Sequence, residues 1–147
     1  MDYRCKQYCI TFLNETNRDK NTKCFECFFF GSNKKSADEL LQLVLCGKKK
    51  ATTSSLLALE NMPQVNDLSI VTDFEGNPQC VIQTLSVRTM LFSDMTFALA
   101  FLEGEDENLL SWQRNHISYF KWDASQKGYE FNLDMPIVFE EFTVVYR

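Results

Sequence analysis

Three stretches of the chain hold residue types that do chemistry. The first is Gly47-Lys48-Lys49-Lys50-Ala51-Thr52-Thr53-Ser54, three consecutive lysines followed by hydroxyls. A loop of this kind offers cations and hydrogen-bond donors to an anionic or polar ligand. It is not a Walker loop, because the Gly-x4-Gly-Lys-Ser/Thr spacing is missing. Its bland alternative is a solvated basic turn. The second is Glu103-Gly104-Glu105-Asp106-Glu107, four carboxylates within five residues. Crowded acids repel, which raises one pKa into the range of acid/base work, and such a group also suits a divalent metal. Its bland alternative is an acidic helix start, favourable to the helix dipole. One strong basic loop and one strong acidic loop, among otherwise scattered charges, read as complementary.

The third is the only histidine, His116, spaced four residues from both Trp112 and Phe120. On a helix these three share a face, so His116 reads first as a packed histidine at the core edge. No Ser-His-Asp or Cys-His arrangement can be built on it from spacing. The six cysteines include two close pairs, Cys5/Cys9 and Cys24/Cys27, which raise the idea of zinc. The first pair falls on a helical stretch and the second on a strand that sends its side chains to opposite faces. Zinc is therefore set aside, no metal or cofactor is expected, and the cysteines read as reduced thiols. Phe28, Phe29 and Phe30 have the rings to stack on bases, but as a run in a central strand they read as core.

These residues need a frame. Apolar spacing predicts a helix over 2–13, a polar loop over 14–23 and a buried strand over 24–30, ending at Gly31. Ser36-Ala37-Asp38-Glu39 reads as a capping box for a helix over 37–46, with Gly47 as its left-handed stop. Two β-rich runs, 68–74 and 79–87, flank Glu75-Gly76-Asn77-Pro78 as a hairpin. Ser93 reads as the N-cap of a helix over 94–102. Another helix is expected over 108–122, and the alternating run 137–146 closes the chain as a long strand. Interspersed helices and mostly antiparallel strands give an α+β fold around a curved sheet or open barrel.

Length and charge narrow the functions. The 147 residues fit one domain, expected over 1–147, and thirteen Phe, five Tyr and two Trp can fill its core. The longest apolar run, Phe97–Leu102, is far short of the ~20 residues of a membrane span. The start, Met-Asp-Tyr-Arg-Cys-Lys, has no apolar signal region, so the expectation is a cytoplasmic protein that does not engage membranes. A net charge of −5 argues against a long duplex footprint and leaves room for a small basic site.

In Phe30-Gly31-Ser32, Ala37-Asp38-Glu39-Leu40 and the Gly47–Ser54 loop, the chain resembles the ASCH domain family of the PUA-like superfamily. The resemblance continues through Val65–Asp73, Leu102-Glu103-Gly104-Glu105, Leu109-x-x-Trp112-Gln113-x-x-His116 and Met135–Tyr146. It implies a PUA-like open β-barrel with surrounding helices and a cleft between them for RNA or a modified nucleoside. Two activities follow as expectations: a binding module, with Lys48, Lys50, Ser54 and Glu103 contacting ligand, or a hydrolase acting on RNA or on the acetyl amide of N4-acetylcytidine. In the amidohydrolase branch a lysine, a threonine three residues on and a later glutamate form the site; by motif these fall on Lys49, Thr52 and Glu105, with Glu103 the competing choice for the last. Ser54 stands where many members carry arginine, Asn66 where a glycine is usual, and Asp106 where a glycine is frequent. As loop residues, Lys49 and Glu105 should be removable with little change in melting temperature.

Overall fold

A computed structural model describes residues 1–147. Helix α1 (Tyr3–Glu15) is capped by the Asp2 carboxylate, which accepts from the Arg4 N–H. It buries Phe12 and Leu13 against Ile70 and Val81 of the sheet. Strand β1 (Glu26–Phe28) follows, then α2 (Lys34–Leu45), β2 (Ala51–Ser55), β3 (Leu68–Thr72) and β4 (Pro78–Leu91). A short α3 (Phe97–Ala100), the long α4 (Leu109–Lys127) and β5 (Pro136–Tyr146) complete the chain.

The five strands form one curled sheet in the order β1-β3-β4-β5-β2. Only β1–β3 is parallel. Every residue of β3 is buried, Ser69 and Thr72 included, because α1 packs on Ile70 and α2 on Val71 on the opposite face. A third apolar cluster lies between α4 and the β2/β5 end, where Trp112 and Phe120 meet Ala51, Ile137 and Phe139. The two edge strands, β1 and β2, remain unpaired on their outer sides.

Several boundaries differ from the sequence reading, each for a local reason. The α2 capping box is Asn33/Ser36: the Asn33 side chain accepts from the Ser36 N–H and Ser36 Oγ accepts from the Asn33 N–H. Ser36 is thus the inner partner of the box, and the helix starts at Lys34 rather than 37. The expected helix over 94–102 breaks into two 3₁₀ turns around α3, whose cap is Thr96 instead of Ser93. Helix α4 runs on to Lys127 and stops at left-handed Gly128. The expected buried strand over 24–30 shrinks to three residues at a sheet edge, with Phe29 exposed.

Two further corrections concern side chains. Cys5 and Cys27 form a disulfide joining α1 to β1, one cysteine from each close pair, so these two are not the reduced thiols expected. The other four cysteines are free. The second half of the Gly47–Ser54 segment, read as loop, belongs to strand β2: Thr52 pairs with Glu140 and Thr53 with Phe139. No helix is long and apolar enough to cross a membrane.

Candidate active site

Gly47, at φ +80, turns the chain out of α2, and the Lys48 and Lys49 amides both return to the Leu43 carbonyl. Lys50 then bonds Leu102 O through its N–H and receives the Phe142 N–H on its carbonyl. Tied to α2, the 101–103 turn and β5, the segment cannot leave Lys49 in solvent. Lys49 is 3% exposed, whereas Lys48 and Lys50 are exposed.

The acidic loop is folded directly onto this segment. Gly104 has φ +74, and a Cβ on it would stand 2.4 Å from the Lys48 carbonyl oxygen and 3.0 Å from Lys49 N. Only glycine lets the two backbones approach so closely while taking a left-handed turn. That contact brings Glu103 and Glu105 to either side of Lys49. Gly104→Ala is therefore expected to lower stability by about 1–3 kcal/mol and to separate Lys49 from Glu105. Denaturant unfolding measures the first effect; unchanged stability would show that the backbone contact is not needed.

The ammonium of Lys49 donates to Glu105 Oε2 (2.8 Å) and the Ala51 carbonyl (2.9 Å), and lies 3.5 Å from Glu103 Oε1. It also sits 5.2 Å from the centre of the Phe30 ring. Glu103 is 1% exposed and fully engaged. Its Oε2 accepts from Thr53 Oγ1 (3.1 Å) and from the Trp112 indole N–H, and its Oε1 faces His116 Nε2 at 3.3 Å. His116 Nδ1 lies 2.9 Å from the Trp112 carbonyl. Both ring nitrogens thus face acceptors, which assigns His116 as imidazolium.

Burial alone would push Glu103 up, but the charges of His116 and Lys49 outweigh it and hold the carboxyl down to about 2. Burial likewise disfavours the His116 cation, and the Glu103 carboxylate overrides it, so His116 is raised. Burying ionic groups costs several kcal/mol each before pairing repays it. Such a cluster at a cleft wall therefore marks a place where charge has a use. Donor atoms of Glu103, Glu105 and His116 lie within 4.8 Å of one another. They do not fit a metal: Lys49 already stands between the carboxylates, and Glu103 is taken up by Thr53, Trp112 and His116.

The network forms one wall of a cleft of about 1130 Å³ that opens between the two sheet edges and α4. Lys49, Thr52, Ser54, Glu103 and Glu105 all line it; Lys48 and Lys50 do not. Thr52 is half-buried and its hydroxyl makes no hydrogen bond within the protein, unlike that of Thr53. Asp106 accepts from Ser111 and Asn115 of α4 and so belongs to the helix start. Phe28, Phe29 and Phe30 line the cleft, because β1 is an edge rather than a central strand.

A family model described as the ASCH domain matches residues 26–146, most of the chain. The chain belongs to the ASCH family. Two solved structures agree with this over nearly their whole length. The ASCH domain from Lactobacillus crispatus JV V101 is 30% identical, with a TM-score of 0.90 over 100% of this chain and 97% of its own. A protein from Enterococcus faecalis V583 is 27% identical, with a TM-score of 0.88 over 99% and 90%. A search of the curated proteins gives no match. The ASCH fold accounts for the curled sheet with its helices and for the open edge where the cleft lies.

The sequence did not single out Thr53 or Trp112 as partners of Glu103. It also passed over Glu26 and Glu140, which line the cleft. One signal for Glu140 was available: it shares the alternation of Val138, Phe142 and Val144, three apolar residues of β5.

Proposed function

We propose that this ASCH protein hydrolyses an N-acyl amide on a nucleoside held in the cleft. The observation that carries the reading is the ion pair between buried Lys49 and the partly exposed Glu105 at the cleft wall, in a cleft that also holds the free hydroxyl of Thr52. Lys49 passes a proton to Glu105, and its amine then takes the Thr52 hydroxyl proton as Oγ1 attacks the acyl carbon. Glu105 gives its proton to the departing nucleoside amine, so the C–N bond breaks without release of an anionic amine. Water then attacks the acyl-threonine carbonyl and gives one proton to Glu105; that proton passes to Thr52 Oγ1 as the C–O bond breaks, which regenerates the hydroxyl and releases the carboxylic acid. The family resemblance supports the nucleoside as the leaving group.

The test is conversion of N4-acetylcytidine, free and within a short single-stranded RNA, to cytidine and acetate, followed by chromatography. Wild type is expected to turn over and Thr52→Val to lose activity. No turnover of either substrate overturns the hydrolase reading.

A second reading, binding of single-stranded RNA without chemistry, is favoured by the aromatic rim. Phe25 and Trp122 line the cleft while 36% and 40% exposed, and exposed rings accept stacked bases. With Lys48 and Lys50 outside the cleft and Lys49 committed to carboxylates, its affinity is expected to fall only shallowly with salt. A slope of several log units per log of salt would instead indicate many phosphate contacts.

A further inference from the structure

Glu140 is a carboxyl group that the chemistry above does not use. It sits on β5 directly opposite Thr52 of β2, and paired residues of antiparallel strands project from the same face. Both side chains line the cleft. Glu140 is half-buried, and its one hydrogen bond is a long contact from Thr84 Oγ1 to Oε2 at 3.4 Å, leaving Oε1 free. The groups facing it are Thr84 of β4, Thr52 of β2, Glu26 of β1 and Asp67 ahead of β3. The Glu26 side chain, also lining the cleft, makes no hydrogen bond or ion pair. Lys127 of α4 acts on Glu26 but is itself paired with Asp123 at 3.2 Å. No cation neutralises Glu140.

Resting on the hydrolase reading for the identity of the ligand, we propose that Glu140 in its acid form holds the base of the nucleoside. Its O–H donates to a ring nitrogen, and its carbonyl oxygen accepts from the adjacent exocyclic N–H. A carboxylic acid matches that acceptor–donor edge at both points, as cytosine presents it through N3 and N4. The ionised form sets a lone pair against the ring nitrogen and loses one of the two bonds. Residues 52 and 140 then divide the work: Thr52 meets the acyl group and Glu140 fixes the ring beside it.

Burial first, and then the charge of Glu26, pushes Glu140 up to about 7. The acid form is therefore depleted across neutrality. If that form alone binds, apparent affinity falls with its population, about tenfold between pH 6 and pH 8.

The test is the affinity of unmodified cytidine, measured by calorimetry from pH 6 to pH 8.5. Cytidine carries no acyl amide, so the result does not depend on turnover and fails separately from the hydrolase reading. Wild type should lose about tenfold in affinity over pH 6–8. Glu140→Gln keeps a donor and an acceptor at every pH, so it should bind at the wild-type pH 6 level throughout. Glu140→Ala should bind at least about tenfold more weakly at pH 6. Absence of cytidine binding, a pH-independent wild type, or a Glu140→Gln variant that keeps the wild-type slope overturns the proposal.

Discussion

Glu105→Gln is expected to lower turnover of N4-acetylcytidine about a hundredfold or more, the scale of a positioned acid or base, while barely changing stability. Glutamine still accepts from Lys49 but cannot carry its proton to the leaving amine. The Glu105 side chain is 22% exposed, so the loss of its charge is softened by water; the stability change should stay below about 1 kcal/mol. Lys49→Ala is a different experiment. Read as a loop residue, Lys49 should be removable at no cost, but its Nζ is buried between two carboxylates. Its removal is expected to cost about 3–5 kcal/mol, or a fall of roughly ten degrees in melting temperature for a chain this size. Inactivity of Lys49→Ala would therefore mix lost chemistry with lost structure. Steady-state kinetics of Glu105→Gln with its melting temperature separates them: full turnover in this variant removes Glu105 from the mechanism.

The contrast between Lys49 and Glu105 reflects what residue spacing carries. The sequence exposes α2, α4 and the β3–β4 hairpin because their apolar residues recur at helical or strand intervals, or flank a turn. It hides β2, whose five residues are alanine, threonine and serine; strand burial alternates there, but there is no apolar signal to trace it. Asn66, standing where the family favours glycine, does take the left-handed conformation at φ +76. Helix boundaries moved where Asn33 and Thr96 cap in preference to nearby serines, a choice set by backbone geometry rather than residue type.

The candidate site was legible in composition and not in geometry. The lysine run and the acidic run do meet, yet only the middle lysine enters the network, because tethers to Leu43 and Leu102 turn it inward. The acidic run divides in three: Glu103 is buried, Glu105 faces Lys49, and Asp106 serves α4. Neighbours in sequence take separate roles because the left-handed turn at Gly104 redirects the chain between them. His116 packs as its spacing implied, stacked on Trp112 at 4.1 Å, and is ion-paired to Glu103 as well, a contact that spacing did not show.

Removal of the Glu103 charge should change the pH dependence of stability as well as its size. Against burial, the charges of His116 and Lys49 hold the Glu103 carboxyl well below the ordinary glutamate range. A depressed carboxyl contributes stability above its unfolded pKa and loses it as pH falls through the folded one. That contribution is present above the ordinary glutamate pKa and is lost progressively as pH falls below roughly 4.5. His116 has the opposite sign: its raised pKa contributes stability below about 6.5 that disappears as pH rises through the folded value. Wild type should therefore be most stable between about pH 4.5 and 6.5, as far as this pair governs it. In Glu103→Gln the acid limb from this group vanishes. The principal charge raising His116 is gone too, while burial and Lys49 still oppose its protonation. The alkaline decline should then flatten or reverse, with overall stability lower by about 3–5 kcal/mol from the uncompensated buried cations. Guanidinium unfolding midpoints from pH 3 to pH 9 measure both limbs. A Glu103→Gln variant that keeps the wild-type decline above pH 6.5 would show that His116 takes its charge preference from somewhere other than Glu103.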